Sequence, residues 1–333
     1  MGKKIKVAIY GVGPIGVKIA QYILERDCFD IVGAIDIDPE KLGKDLSEFT
    51  GFSEKKGITI QEAGDVLDKK KIDVMVLTTT SSLIKIKPQI LEVLNCGINI
   101  VSTCEELSYP WITYPEIARE IDRAAKNNNV SVLGTGVNPG FLMDFLPLIL
   151  TGVCQNVEKI RIERIQDASK RRIPFQQKVG IGITVEEFNK RVKEGTLRHV
   201  GLTESIHMIA SRMGWKMDIT EDIIEPVIAE EDITVGGKIV EKGRVLGVKQ
   251  TGKGFSKGEE LITLLFIAAA GIEEPYDRVI IKGTPDIEST IKGGVNGDIA
   301  TCAIVTNAIP VVLKTSPGLK TMLDIEPITF FVK

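Results

Sequence analysis

Histidine is almost missing from this chain: His199 and His207 are the only two in 333 residues. They stand eight residues apart, which is not the i, i+4 spacing that sets two imidazoles on one helix face, and no cluster of acids and cysteines completes a ligand set. A catalytic metal is therefore not expected, and Ser-His-Asp hydrolysis has little to draw on. Cysteine is scarce too. Cys28, Cys96, Cys104, Cys154 and Cys302 are odd in number and contain no C-x-x-C pair, so neither a disulfide framework nor a zinc site is indicated, and most read as reduced packing residues. An excess of either charge is lacking: 42 Lys and Arg face 45 Asp and Glu for a net charge of -3, which gives a nucleic-acid partner no electrostatic basis. Long apolar runs are absent as well. The run in MGKKIKVAIYGVG is broken by glycine too soon for a signal segment or membrane span, so a cytoplasmic protein with no membrane partner is expected.

Present instead are a length and a rhythm. A chain of 333 residues exceeds one ordinary core and fits two domains. Up to about residue 140, short apolar runs at 4–11, 30–36, 73–79, 98–103 and 130–136 alternate with helical patterns at 14–26, 62–70, 87–97 and 115–128. Strand-helix alternation of this kind predicts an α/β fold, an N-terminal doubly wound parallel sheet of the Rossmann type. From about residue 155 the texture shifts to longer alternating strands, VEKIRIERIQD and RVIIKGTPDIESTIKGG, which predict a second, α+β domain on a mixed or antiparallel sheet. The expected division is 1–140, joined by a returning segment of about 300–333, and a substrate-binding and oligomerisation domain over 141–300, with helices at 141–150 and 297–312.

GVGPIG places Gly11, Gly13 and Gly16 in the G-x-G-x-x-G arrangement, with Pro14 and Ile15 between the last two, directly after the first strand and opening a helix. The first glycine permits a tight turn, the second lets a pyrophosphate reach the backbone, and the third lets helix and strand pack closely. Asp36 ends the second strand 20 residues past Gly16, the spacing at which an acid reaches the adenosine ribose hydroxyls, so NAD is favoured. Asp36 or Asp38 capping a helix is the competing reading, and Lys41 or Lys44 meeting a 2′-phosphate leaves NADP open. LTTTSSL supplies five hydroxyls at the end of the third strand; Thr78 and Thr79 are the preferred cofactor contacts, with a hydroxyl-capped loop into a helix at Lys87-Pro88 the alternative.

VSTCEELSYPW puts Glu105 and Glu106 at the tip of an apolar strand. They are helix-start acids suited to a helix dipole, or one of them is a catalytic base beside the cofactor. Glu105 is the first acid past the strand, and neighbours in an extended segment point apart, so one acid should face the nicotinamide. Cys104 precedes the pair as a cofactor contact; a nucleophilic thiol there has no neighbouring histidine.

The motifs YGVGPIG, STCEELSYPW, GTGVNPGFLMD, RHVGLTES and GDIATCAIVTNAIP, in this order over nearly the whole chain, resemble the 2,4-diaminopentanoate dehydrogenases, which are related to native amine dehydrogenases and to dihydrodipicolinate reductase. The resemblance implies NAD(P)-dependent oxidative deamination of a small amine to an amino ketone and ammonia, with a glutamate after this strand moving protons. It marks Asn138 as orienting substrate or nicotinamide, and His199 with Thr203 as facing substrate. Phe141 and Asp144 would open the helix after GVNPGF and line the pocket, while Arg161 or Arg164 could clamp a substrate carboxylate. It also implies a homodimer. The reductase itself typically carries adjacent histidines, which this chain does not have; a dinucleotide-sensing protein without turnover is the remaining alternative.

Overall fold

The computed structural model describes residues 4–52, 57–68, 71–171 and 173–331. The chain divides into two compact units, Met1–Phe141 with Asn296–Lys333, and Leu142–Val295. The first opens with β1, Ile5–Tyr10, whose apolar run from Val7 to Tyr10 suits a strand covered on both faces; these last four residues are buried. Gly11 ends it, and α1, Pro14–Leu24, starts with proline in its first turn, where the missing N–H would have had no partner. The alternation continues through β2 (Phe29–Ile35), α2 (Ser47–Thr50), β3 (Ile60–Gln61), α3 (Ala63–Leu67) and β4 (Val74–Leu77). Then follow α4 (Leu83–Asn95), β5 (Asn99–Ser102), α5 (Pro110–Thr113), α6 (Pro115–Asn127) and β6 (Ser131–Gly134). In α6 the buried residues Ala118, Ile121 and Ala125 recur at helical spacing and form one stripe.

One strand was not foreseen and one local expectation is corrected. The two-residue β3 is too short to carry a period in sequence and exists because Ala34 and Ile35 of β2 pair with Ile60 and Gln61. Helix α4 starts at Leu83, not near Lys87-Pro88, and Pro88 lies inside it. The Glu106 carboxylate accepts the Leu83 N–H at 2.7 Å, a cap supplied from another strand's end. The bond that Pro88 cannot donate falls to the carbonyl of Ile84, an exposed residue that water can serve.

The second unit contains α7 (Phe145–Leu150), β7 (Asn156–Asp167), α8 (Ile173–Lys178), α9 (Val185–Lys193) and α10 (Leu202–Met213). They are followed by β8 (Ile219–Ile228), β9 (Ile233–Val235), β10 (Lys238–Val240), β11 (Val245–Ser256), β12 (Glu259–Ala269), β13 (Tyr276–Thr284) and β14 (Ile287–Lys292). Six strands form one sheet in the order β14-β13-β7-β12-β11-β8, mixed because β7 and β12 run parallel while the other neighbours are antiparallel. The sequence GFSKG, residues 254–258, has the lettering of a hydrolase nucleophile elbow but forms the tight turn between β11 and β12, with positive φ at Lys257 and Gly258. The helix expected over 141–150 begins only at Phe145: Asp144 is its N-cap, accepting the Phe145 N–H, and Phe141 precedes it. A buried ion pair, Arg164 to Asp277 at 2.6 Å, holds both backbone groups of Val295, the last residue of this unit.

The chain then returns through α11, Gly297–Val312, to β15, Gly318–Lys320, which pairs parallel with β6. The first unit's sheet is parallel throughout, in the order β15-β6-β5-β4-β1-β2-β3. Because β1 is flanked by β2 on one side and β4 on the other, the strand order reverses there, and the crevice beyond the strand ends is where such sheets hold ligands. Among the described residues no helix is long and apolar enough to cross a membrane.

Candidate functional site

At the end of β1, Gly11 takes φ +102°, a conformation that side chains disfavour. Its N–H donates to Ile35 O at 2.8 Å, and its carbonyl accepts the Thr78 hydroxyl at 2.8 Å. Thr78, chosen from sequence as a cofactor contact, thus braces the turn across the switch point. The three glycines differ in purpose. A Cβ on Gly16 would lie 1.9 Å from Gly11 O, so this glycine serves helix-strand contact, whereas one on Gly13 meets nothing within 4 Å. Gly13 therefore leaves open space before the N-terminus of α1, whose first turn holds no acid and no side-chain cap. The N–H groups of Ile15 and Gly16 have no intrahelical partner there, while the exposed Pro14 contributes none. An open, uncapped, electropositive helix start fits a pyrophosphate.

Asp36 sits at the end of β2 with both oxygens engaged. Oδ1 accepts the N–H groups of Ile37 and Asp38, and Oδ2 accepts Val12 N–H at 2.8 Å and Lys41 Nζ at 3.2 Å. Through Val12 it also fixes the glycine turn. Burial pushes its carboxyl pKa up, but the Asp38 and Val12 N–H groups and Lys41 outweigh this and hold it below the ordinary value. Thr79 is exposed and donates to Gln89.

Beyond β5 the structure separates the two acids. They lie on a single 3₁₀ turn, Glu105–Leu107, rather than an extended segment, so they diverge by the turn's rotation. Glu106 is spent on the cap of α4. The Glu105 side chain, half-buried, has no hydrogen-bond or ion-pair partner among the described residues, while its carbonyl is pinned by the Ser108 N–H and hydroxyl. Cys104 corrects an expectation. Its thiol is buried in the core, donates to Ser81 O, and is pushed well up in pKa by burial and then by Glu105, so it neither ionises readily nor presents its sulfur to a ligand. After β6, Asn138 is half-buried beside a cis Asn138–Pro139 bond, and Phe141 is half-buried at the end of this unit's first segment.

In the second unit the sequence-chosen residues do not gather. Arg161 donates to Glu163, which also accepts the Tyr276 hydroxyl, and it is half-exposed. His199 stacks on Phe266 with ring centroids 4.4 Å apart. Phe266 is register-paired with Arg164, and since strand side chains alternate, Arg161 faces the opposite side of the sheet. Arg161 and His199 therefore cannot clamp one group together, and Arg164 is spent on Asp277. What His199 has instead is a cavity lined by Phe175, Lys178, Leu197, Arg198, Val248 and Phe266, among others. Arg198 and Lys178 were missed in sequence; Arg198 is legible only as His199's neighbour. His199 Nε2 and Arg198 Nε are enclosed there without a hydrogen-bond partner. Although the His199 residue keeps some surface, burial and then Lys178, Arg164 and Arg198 push its pKa down to about 3, so the ring is neutral at pH 7. Two cationic side chains and an unsatisfied imidazole nitrogen suit an anion. Thr203 is half-buried in the first turn of α10.

The parallel sheet with its bared glycine turn is a dinucleotide-binding fold, and the similarity to known enzymes makes the protein a dehydrogenase of the nicotinamide-dinucleotide class. Residues 141–332 match the profile described as the 2,4-diaminopentanoate dehydrogenase C-terminal domain, and residues 2–102 match one described as a CoA binding domain. The chain belongs to the 2,4-diaminopentanoate dehydrogenase family: it is 38% identical to the 2,4-diaminopentanoate dehydrogenase of Acetoanaerobium sticklandii, over 97% of this chain and 94% of that one. Among solved structures, the amine dehydrogenase from Mycobacterium smegmatis superposes with a TM-score of 0.87 at 23% identity, covering 99% of this chain and 98% of that one. A dipicolinate-bound dihydrodipicolinate reductase from a Paenisporosarcina species gives a TM-score of 0.54 at 14% identity, covering 96% and 98%. These two likenesses show the fold.

Proposed function

We propose that this protein catalyses the NAD(P)-dependent oxidative deamination of 2,4-diaminopentanoate to 2-amino-4-oxopentanoate and ammonia, and the reverse reductive amination. The observation that carries the reading is the division of labour after β5: Glu106 caps α4, and the carboxylate of Glu105 is left without a partner at a strand end of the dinucleotide-binding sheet. When bound, the dinucleotide accepts hydride from the carbon that bears the amine. Glu105 takes a proton from the substrate ammonium, so that the nitrogen lone pair can assist departure of the hydride. After releasing that proton to solvent, the carboxylate takes one from the water that adds to the iminium carbon, returns it to the nitrogen of the carbinolamine, and takes up the hydroxyl proton as ammonia leaves and the ketone forms.

The N–H groups of Ile15 and Gly16 and the space at Gly13 hold the pyrophosphate, Asp36 faces the adenosine ribose and favours NAD, and Thr78 keeps the glycine turn in place. Asn138 and Phe141 border the nicotinamide and substrate. The second unit by itself offers Arg198, Lys178 and His199 to a carboxylate, with Thr203 at the start of α10. The enzyme works in the cytoplasm as a homodimer.

The test is ammonium-dependent oxidation of NADH and NADPH with 2-amino-4-oxopentanoate, comparing the parent with Glu105→Gln and Glu106→Gln. Loss of proton transfer should cost Glu105→Gln a factor of about 100 or more in kcat with little change in Tm. Glu106→Gln should keep its chemistry and lose about 1 kcal/mol of stability as the charge on the α4 cap is removed. Full activity in Glu105→Gln would remove the catalytic assignment, and an inactive parent that binds dinucleotide would remove the substrate.

A further inference from the structure

Lys41 is gripped by two carboxylates at the end of β2: its Nζ lies 3.2 Å from Asp36 Oδ2 and 3.3 Å from Asp38 Oδ2. Asp36 already accepts three backbone N–H groups, two on Oδ1 and that of Val12 on Oδ2. A carboxylate oxygen offers two good acceptor directions, so with Lys41 in place all four are filled. A ribose hydroxyl that donates to this acid must first displace the ammonium. A 2′-phosphate meets the opposite situation, because Asp36 alone would repel it and the ammonium supplies the missing positive charge.

The surroundings allow the side chain to change partner without moving the backbone. The Lys41 and Leu42 N–H groups both donate to Asp38 O, at 2.9 and 3.1 Å, which fixes the turn that carries the side chain. Asp38 is the more exposed of the two acids, at 39% against 11%, and gives the ammonium a place to rest when Asp36 is taken. Ile37, 82% exposed, lays an apolar surface beside them of the kind a purine covers.

We propose that Lys41 sets the ratio between the two dinucleotides: it turns from Asp36 to a 2′-phosphate when NADP(H) binds, and onto Asp38 when the ribose of NAD(H) takes Asp36 Oδ2. This rests on the dinucleotide reading above and adds to it the residue that admits the phosphorylated form. Lys44, exposed on the same segment and without an ion-pair partner among the described residues, is the natural control.

The experiment is fluorescence titration of the full chain with NADH and with NADPH, for the parent, Lys41→Gln, Lys41→Arg and Lys44→Gln. Loss of one charge-assisted contact should weaken NADPH about tenfold in Lys41→Gln, while NADH binds as in the parent or tighter because a competitor for Asp36 is gone. Lys41→Arg should hold NADPH within about threefold of the parent, since it restores the charge, and Lys44→Gln should leave the ratio unchanged. Equal weakening of both dinucleotides in Lys41→Gln, an unchanged ratio, or a ratio that moves with Lys44 instead would overturn the assignment and leave the dinucleotide reading standing. Failure of the parent to bind either dinucleotide would bring down both.

Discussion

The ring of His199 shows how a single side chain is taken over by its surroundings. In solution it would take up a proton near pH 6.5, but burial and three cationic neighbours hold that event down to about pH 3. Between these values the unfolded chain binds a proton that the folded chain refuses, so stability falls as pH drops from about 6.5 towards 3, at up to about 1.4 kcal/mol per pH unit. His199→Phe keeps an aromatic ring against Phe266 and removes the titration. Thermal unfolding of both proteins from pH 7 to pH 4 should show the parent losing stability faster than the variant. Glu260, held down at about 2 by Lys159, Thr263 and Lys253 against the upward push of burial, titrates in both proteins and cancels in the difference. Parallel curves would mean that the imidazole is not shielded from protons. Nothing in the letters RHVGLTES discloses this, since the cations come from α8 and β7 as well as from the adjoining Arg198.

Elements, by contrast, announced themselves where their sequence had a period or a break. The span of α11 was legible residue for residue, GVGPIG marked the turn into α1, and β7 follows the alternation of VEKIRIERIQD. Elements set by partners were not legible: β3 needed β2, and the start of α4 needed the carboxylate of Glu106. The glycine turn yields a paired prediction at this scale. Gly13→Ala adds a methyl group to empty space and should fold with the parent's Tm, yet bind dinucleotide at least about tenfold more weakly because the pyrophosphate's approach is blocked. Gly16→Ala drives a methyl group against a backbone oxygen and should lose about 1–3 kcal/mol of stability, read by chemical denaturation. If Gly13→Ala binds normally, the pyrophosphate lies elsewhere.

At the scale of the molecule, two compact units share a chain that leaves the first at Phe141 and re-enters it at Asn296. The buried Arg164–Asp277 pair grips Val295 immediately before that re-entry, so the second unit ends on a fixed point rather than a loose linker. The second unit's sheet ends on β8, where Ile219, Ile223 and Ile228 are exposed on an edge strand. Isoleucines exposed along an edge strand suit association with a second copy. Light scattering on the purified protein should therefore give about twice the chain mass of 36.4 kDa; a single-chain mass across the working concentration range would exclude the homodimer.

The sequence by itself determined the parallel sheet, the glycine turn, the acid at the end of β2 and the family, because each depends on local patterning: apolar runs of strand length, glycines at set intervals, and motifs in a fixed order. Only the tertiary structure decided which of two adjacent glutamates is free, because the helix start that consumes Glu106 lies 23 residues away in the chain. It likewise put Arg161 and His199 on opposite faces of a sheet, buried Cys104, and filled the acceptor positions of Asp36 with Lys41. Those outcomes depend on strand register, on burial and on groups brought together from distant segments, and side-chain chemistry read along a line carries none of the three.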